Sequence, residues 1–279
     1  MQPAKTPAPL AKVTLSHYLL LAFIAMATLA YLNYLPALVN ALAADLGFTD
    51  AEAGQIVAAN GYGALAGSAA AIYLVSKLRW QAALLSCLAL LGILELSSVL
   101  ADNYYLMLSW RFLAGIVGGL GLGIAFSVLA RLPNPDRAFG LLLLLQFTTG
   151  SLVIYLLPLL STLLGANAVF YAGAALAVIG LLFLRCLPAI SLQTTAAVVP
   201  ASAVRMRPVT RRRHAVLLLL AIALYQTAAS AIWAYASLIG QSAGLADAAV
   251  NSTLAISGLT GLLGALLPVL SGSRFGRLN

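Results

Sequence analysis

The stretch SWRFLAGIVGGLGLGIAF, residues 109–126, is apolar enough to lie in a membrane and nearly as long as a membrane-spanning helix. It nevertheless holds Arg111 near its start and five glycines, of which Gly115, Gly119 and Gly123 are spaced by four residues. An arginine in the hydrocarbon costs at least ~2.5–3.5 kcal/mol. Small residues at this spacing let two membrane helices approach closely. The stretch therefore predicts a tightly packed transmembrane helix whose charge needs a partner or a function.

The composition of the whole chain agrees with a membrane environment. The 279 residues are 62% hydrophobic and only 8% charged, with a mean hydropathy of +1.01, whereas soluble domains carry roughly 25% charged residues. Since backbone groups in lipid must bond within their own segment, apolar runs of this length predict helices. We expect an all-α, polytopic transmembrane helical bundle. Eight apolar runs are present, near residues 18–40, 52–75, 81–100, 104–130, 138–163, 167–187, 214–238 and 248–270.

The basic residues indicate how these spans are oriented. With the N-terminus in the cytoplasm, every lysine and arginine except Arg111 lies on the cytoplasmic side, which is the positive-inside bias of membrane proteins. The net charge of +8 is therefore explained by topology and by contact with the lipid bilayer, and we expect no nucleic-acid partner. The sequence predicts an integral protein of the bacterial cytoplasmic (inner) membrane.

An internal repeat divides the chain. Residues 17–80 align without gaps on residues 214–277, and the alignment pairs Gly47 with Gly244 and Asp50 with Asp247. Two parallel halves are a known transporter plan. We expect residues 1–187 to form a six-helix N-terminal half, 188–213 a cytoplasmic linker, and 214–279 the first two helices of a C-terminal half. Because the counterpart of residues 81–187 does not follow, we expect a fragment with eight of twelve spans.

This plan and two motifs resemble the major facilitator superfamily. The more specific match is Arg111-x-x-x-Gly115-x-x-x-Gly119 in the fourth span. The other is the loop after spans 2 and 8, roughly G-x-x-x-D-R-x-G-R in the family, which reads IYLVSKLRW at 72–80 and VLSGSRFGR at 269–277. The acidic residue is absent from both copies, and the efflux-linked Gly-Pro motif is not recognisable around Pro158. The resemblance implies a gating role for the loop residues Ser76, Lys77, Ser273, Arg274, Gly276 and Arg277.

The resemblance also implies which spans line a substrate pathway. Spans 1, 4 and 7, helped by 2, 5 and 8, line it in the family, and polar or aromatic residues lie at suitable depths on these spans here. Each of them could instead make a helix–helix hydrogen bond or lie at the membrane interface. Together with Arg111 they suit a small organic solute, including an anion. The predicted substrate-binding residues are Arg111, Asn33, Tyr34, Asn60, Tyr62, Gln146, Tyr155, Tyr225, Gln226 and Trp233.

Glu95 and Arg111 are the two charged residues within spans, and two interpretations of them stay open. They could form a fixed structural ion pair, because antiparallel neighbouring helices place them at similar depth. Alternatively Arg111 faces a cavity and binds substrate or senses protonation, with Glu95 as the carboxylate available for coupling. The resemblance favours the cavity role, because span 4 lines the pathway in the family.

The sequence thus predicts a secondary active transporter of a small organic solute that works by alternating access, coupled to a proton, ion or solute gradient. It contains no metalloprotease HExxH, Gly-x-Ser-Gly or paired intramembrane aspartate motif. We therefore expect no enzyme, no cofactor and no metal site. The alternative is a membrane scaffold or receptor of the same fold that does not transport.

Overall fold

The structure is a computed structural model that describes residues 13–187 and 208–271. The regular elements in these two ranges are helices, which confirms the all-α expectation. A 3₁₀ segment (Ala30–Tyr34) and a π-helical turn (Ala41–Asp45) complete the first span. The α-helices are α1 (Leu15–Thr28), α2 (Leu35–Asn40), α3 (Asp50–Leu74), α4 (Trp80–Ser98), α5 (Tyr104–Leu129), α6 (Pro135–Leu164), α7 (Ala168–Cys186), α8 (Pro208–Ser242) and α9 (Asp247–Ser271).

Several helices begin at residues whose side chains satisfy free backbone N–H groups. Thr49 and Glu52 form a capping box at the start of α3, with the Thr49 N–H donating to the Glu52 carboxylate at 2.9 Å. The Asn103 side chain accepts from the Leu106 N–H at the start of α5, and Asn134 does the same for Arg137 in α6. These caps fix the helix starts close to the positions that the sequence predicts.

The first span is broken in its middle, which the sequence analysis did not anticipate. Pro36 lies in the first turn of α2, where it has no N–H to donate to a preceding carbonyl and its ring crowds the previous turn. The chain therefore leaves α1 at Leu29, passes through the 3₁₀ segment, and continues into α2 with a bend of 78°. We call Ala30–Tyr34 the break segment.

The eight expected spans all appear as helical segments, but fewer than eight pass a test of length and apolar composition. Five helices of the described ranges do: α4, α5, α6, α7 and the Arg213–Ser242 part of α8. The broken first span counts as a sixth if its two parts are taken together. In α3, the glycines and polar residues such as Asn60 lower the apolar content of a helix that is otherwise long enough, at 25 residues.

Three glycines of α5, spaced by four residues, lie at its contact with α3. A β-carbon on Gly115 would meet the Asn60 carbonyl, and one on Gly119 would meet the Ala64 carbonyl. Gly123 lies against the Ala71 side chain. Because backbone atoms cannot give way as a flexible side chain can, glycine is required where the two helices cross.

The loops before α3 and α9 adopt the same local structure. Gly47 and Gly244 have φ angles of +77° and +81°, a left-handed conformation that glycine adopts without steric cost. Asp50 and Asp247 then begin α3 and α9. This is the pairing that the sequence repeat predicts, whereas the linker lies largely outside the described residues and the domain division stays a prediction.

Helix α9 packs along α6 as far as Gly261, which lies against Phe147, whereas α8 packs on the preceding helices at one end of the bundle only. We call this the acidic end, since it carries Asp50, Asp102 and Asp247, and we call the opposite end, with the loops after α3 and α5, the basic end. Near the acidic end Ala234, Ser237 and Val250 are buried. Toward the basic end, residues 213–228 of α8 are exposed on every face. Helix α8 therefore meets the earlier helices at the acidic end and separates from them toward the basic end, while α9 stays in contact with α6.

Candidate functional site

A cavity of about 460 Å³ lies where α8 diverges from the earlier helices. Its volume falls in the range of about 300–1,000 Å³ that is typical of small-molecule sites. The break segment and α2 form one wall, α6 a second, and α8 with α9 a third. We call it the central cavity. Its lining residues are Leu32, Asn33, Leu35, Gln146, Phe147, Ser151, Ile154, Gln226, Ala229, Ser230, Trp233, Ser257 and Gly258.

Four of the predicted binding residues come together here, each from a position fixed by helix periodicity. The α8 lining residues lie three or four positions apart, so that they share one face of the helix. On α6, Gln146 lies just over one turn before Ser151. Sequence analysis did not predict Ser151 as a residue of the site. The predicted residues that the cavity brings together are Asn33, Gln146, Gln226 and Trp233.

Two polar atoms at this cavity are buried without a hydrogen-bond partner. They are the Asn33 Nδ2 amide nitrogen and the Ser151 Oγ hydroxyl oxygen. Buried polar groups are almost always bonded in folded proteins. Both residues line the cavity, but these two atoms are enclosed by protein, and the Ser151 hydroxyl lies against Gly258 of α9.

Three predicted tyrosines do not reach the central cavity, and helix geometry explains why. Tyr62, Tyr155 and Tyr225 are all exposed. Tyr225 precedes Gln226 by one residue, which turns its side chain about 100° away around α8. Tyr62 is likewise turned about 200° from buried Asn60. Tyr155 lines a separate groove between α6 and α9 instead.

Glu95 and Arg111 form a buried ion pair between α4 and α5. The Arg111 Nη1 group donates to both Glu95 carboxylate oxygens at 3.0 Å, and its Nη2 group donates to the Ser98 hydroxyl at 2.5 Å. The guanidinium also lies over the Phe170 ring of α7, 5.1 Å from its centroid. Arg111 is 1% exposed and does not line the central cavity. The expectation that Arg111 faces the cavity is therefore not met in this conformation.

A second, much smaller cavity of about 10 Å³ lies beside the ion pair, with room for about one water molecule. Glu95, Tyr31, Tyr34 and Asn60 are among the residues that line it. The predicted residues Tyr34 and Asn60 therefore lie next to the ion pair rather than at the central cavity. The Asn60 Oδ1 and Arg111 Nε atoms are both buried without a partner.

Sequence analysis missed three residues that hold the ion pair. Ser98 lies three residues after Glu95 on the same face of α4, and that spacing could have identified it. Phe170 stacks on Arg111 from a helix that the sequence does not connect with it. Gly173 gives room to the pair, since a β-carbon there would lie 3.0 Å from the Glu95 carboxyl carbon and 2.9 Å from the Tyr34 hydroxyl.

The predicted gating residues are only partly described. The Ser76 hydroxyl donates to the Tyr73 carbonyl at 3.4 Å, and the Lys77 N–H donates to the Leu74 carbonyl at 3.0 Å. Both therefore belong to the turn that ends α3 at the basic end. The counterparts Ser273, Arg274, Gly276 and Arg277 lie outside the described residues. Across the described ranges, no cluster of three His, Cys, Asp or Glu side chains could hold a metal ion.

Comparison with known proteins places this architecture in a family. The profile of the Major Facilitator Superfamily matches residues 19–279, and comparison with curated proteins finds no match. Among solved structures, a D-xylose–proton symporter is similar in fold, with a TM-score of 0.53 and 15% sequence identity. The similarity covers 93% of this chain and 67% of that one. The motifs in α5, the helical architecture and the profile match agree, and the chain belongs to the Major Facilitator Superfamily.

Proposed function

We propose that this membrane transporter moves a small organic solute by alternating access and is driven by an ion or solute gradient. The observation that carries the proposal is the central cavity, which lies where α8 separates from the break segment and α6 toward the basic end. Such a cavity can open to either side of a membrane when one half of the protein rocks on the other.

Specific contacts close the acidic end. The Tyr235 hydroxyl donates to the Asp50 carbonyl at 3.2 Å, joining α8 to the start of α3. The Gln241 amide donates to both Asn40 and Asp247 at 2.9 Å, joining α8 to α2 and α9. These hydrogen bonds are few, and at most one partner in each is charged. Each therefore contributes only modestly to the stability of the closed end. Such contacts can break and re-form during a transport cycle.

The charge distribution supports an orientation for this conformation. By the positive-inside rule the basic end faces the cytoplasm, so that the cavity opens inward and the N-terminus is cytoplasmic. The expected location is a bacterial inner membrane. We further propose that residues 1–187 form one half, 188–213 a cytoplasmic linker, and 214–279 the beginning of a second half. The second half would be completed by further helices, in keeping with the two-half plan.

Energy coupling would act through the buried ion pair. Ionisable groups inside the membrane are costly to keep and commonly mark ion or proton pathways. Protonation of Glu95 would remove the charge that holds Arg111 and loosen the contact between α4 and α5. No cofactor, enzymatic activity or nucleic-acid partner forms part of the proposal.

Reconstitution tests the proposal. The protein at its natural length is placed in proteoliposomes that contain a mixture of metabolite-sized solutes, and saturable flux is followed by mass spectrometry with and without a pH gradient. We expect flux of at least one solute above that of protein-free vesicles. Binding without flux would favour the alternative, a scaffold or receptor of the same fold.

A further inference from the structure

The lining of the central cavity points to the charge of its solute. We propose that the cavity binds an uncharged solute rich in hydroxyl or amide groups, and that Gln226 is one of the residues that bind it. The inference rests on the proposed transport function and deepens it by naming a substrate class.

The lining contains no ionisable side chain among the residues that the structure describes. Its polar groups are three amides, three serine hydroxyls and one indole. A charged solute that leaves water for such a site needs a countercharge, since an unpaired buried charge is far more costly than a bonded neutral group. The cavity walls offer none.

Arg111 does not supply the missing countercharge. It is almost fully buried among α4, α5 and α7. Its Nη1 group already donates to Glu95 and its Nη2 group to Ser98. Between it and the central cavity lies the break segment, with Tyr31 and Tyr34 on the ion-pair side and Leu32 and Asn33 on the cavity side. An anion in the cavity would face Asn33 rather than the guanidinium. The structure thus removes the basis for expecting an anionic substrate.

The hydrogen-bonding groups of the lining suit a solute that both donates and accepts. The Ser230 hydroxyl can donate or accept a hydrogen bond. Gln146 and Gln226 add amides that also work in both directions. Hydroxyl and amide groups on a neutral solute meet these needs without a net charge.

The apolar part of the lining indicates the shape of the solute. Trp233, Phe147 and Ile154 contribute apolar surfaces to the walls of the same cavity. Aromatic side chains offer a flat apolar face and, in tryptophan, one donor at the edge. A compact solute with polar edges and at least one apolar face can contact both kinds of group.

A matched set of solutes tests the inference. Proteoliposomes of the protein at its natural length receive a mixture of uncharged sugars, polyols, nucleosides and amides, each with a carboxylate, phosphate or amine derivative. We expect saturable uptake of uncharged members and at least ten-fold slower uptake of their charged derivatives. Uptake confined to charged members would overturn the inference and leave the proposed function standing. Uptake of no member would contradict both.

Variants of its lining residues test whether the central cavity determines the specificity for the solute. Ser230→Ala removes one hydroxyl with little change in volume and should raise KM about five-fold for the transported solute, with kcat nearly unchanged. Gln226 lies on the exposed part of α8, so that Gln226→Leu should also raise KM without destabilising the fold. The matched control is Thr227→Val, because the Thr227 hydroxyl donates to the Ala223 carbonyl of its own helix at 2.8 Å. Equal KM values for all three variants and the unmodified protein would contradict the assignment.

Discussion

Removing one member of the Glu95–Arg111 pair should destabilise the protein, and removing both should harm it much less. Glu95→Gln keeps the side-chain shape but leaves the Arg111 charge buried without a counterion. Arg111→Gln leaves the carboxylate unpaired and removes three hydrogen bonds and the contact with Phe170. Breaking a buried pair in this way costs about 3–5 kcal/mol. In the double variant no charge remains, and two neutral amides can bond to each other.

The expected result is strong energetic coupling between the two sites. We expect the double variant to be more stable than the sum of the single effects predicts, by at least about 2 kcal/mol. The measurement is the free energy of unfolding of all four proteins in detergent micelles, taken from denaturant titrations. Single effects that add within about 0.5 kcal/mol would refute the reasoning, because they would show that the ion pair does not act as a unit.

Transport by the same four proteins separates a structural role from a coupling role. If Glu95 accepts the coupling proton, the double variant should regain downhill flux together with its stability but should not accumulate solute in a pH gradient. If Arg111 binds the solute directly, Arg111→Gln should fold nearly normally and lose downhill flux, and Glu95→Gln should not restore it. The burial of Arg111 makes us expect the first result.

Three further predictions concern packing and topology. Gly119→Ala should destabilise by about 1–3 kcal/mol, because its β-carbon meets the backbone of α3, whereas Gly61→Ala, which has open space around it, should not; thermal unfolding compares the two. Gly173→Ala should crowd the Glu95 carboxylate and the Tyr34 hydroxyl and lower the melting temperature, and the Glu95→Gln background, which removes the ion pair but keeps the side-chain shape, should reduce this effect only in part. In a protein without native cysteines, a membrane-impermeant thiol reagent applied from outside should label Asp102→Cys and not Arg137→Cys; the reverse pattern would invert the proposed orientation.

The helices could be predicted from sequence because each depends on local properties. Apolar runs, caps such as Asn103 and the glycine spacing of α5 are all readable along the chain. The break in the first span is also local in origin, since Pro36 is visible, but a proline in a membrane helix can be accommodated by a mild kink. Its 78° bend depends on how the neighbouring helices pack, which a single sequence does not reveal.

The candidate site was harder to predict, because depth in the membrane does not specify direction around a helix. Asn33 and Gln226 reach the central cavity, while Tyr225, only one residue from Gln226, is exposed. The sequence suggested that Glu95 and Arg111 lie at the same depth, and the structure joins them. That Arg111 faces another helix rather than the cavity follows from its rotation about α5, which composition cannot encode.

The break segment lines both cavities, so that a change at one cavity can be transmitted through it to the other. Tyr31 and Tyr34 line the small cavity beside Glu95, while Leu32 and Asn33 line the central cavity. The Asn33 carbonyl also lies directly against Gly150 of α6, so that the segment has little freedom to move toward α6. A change in the charge of Glu95 would therefore act on Tyr34 and be felt at Asn33 within a single helical turn. Because a 3₁₀ segment is short and less well bonded than an α-helix, it can change shape at smaller cost than the helices on either side. It is therefore a direct route by which the state of the ion pair could alter the solute site.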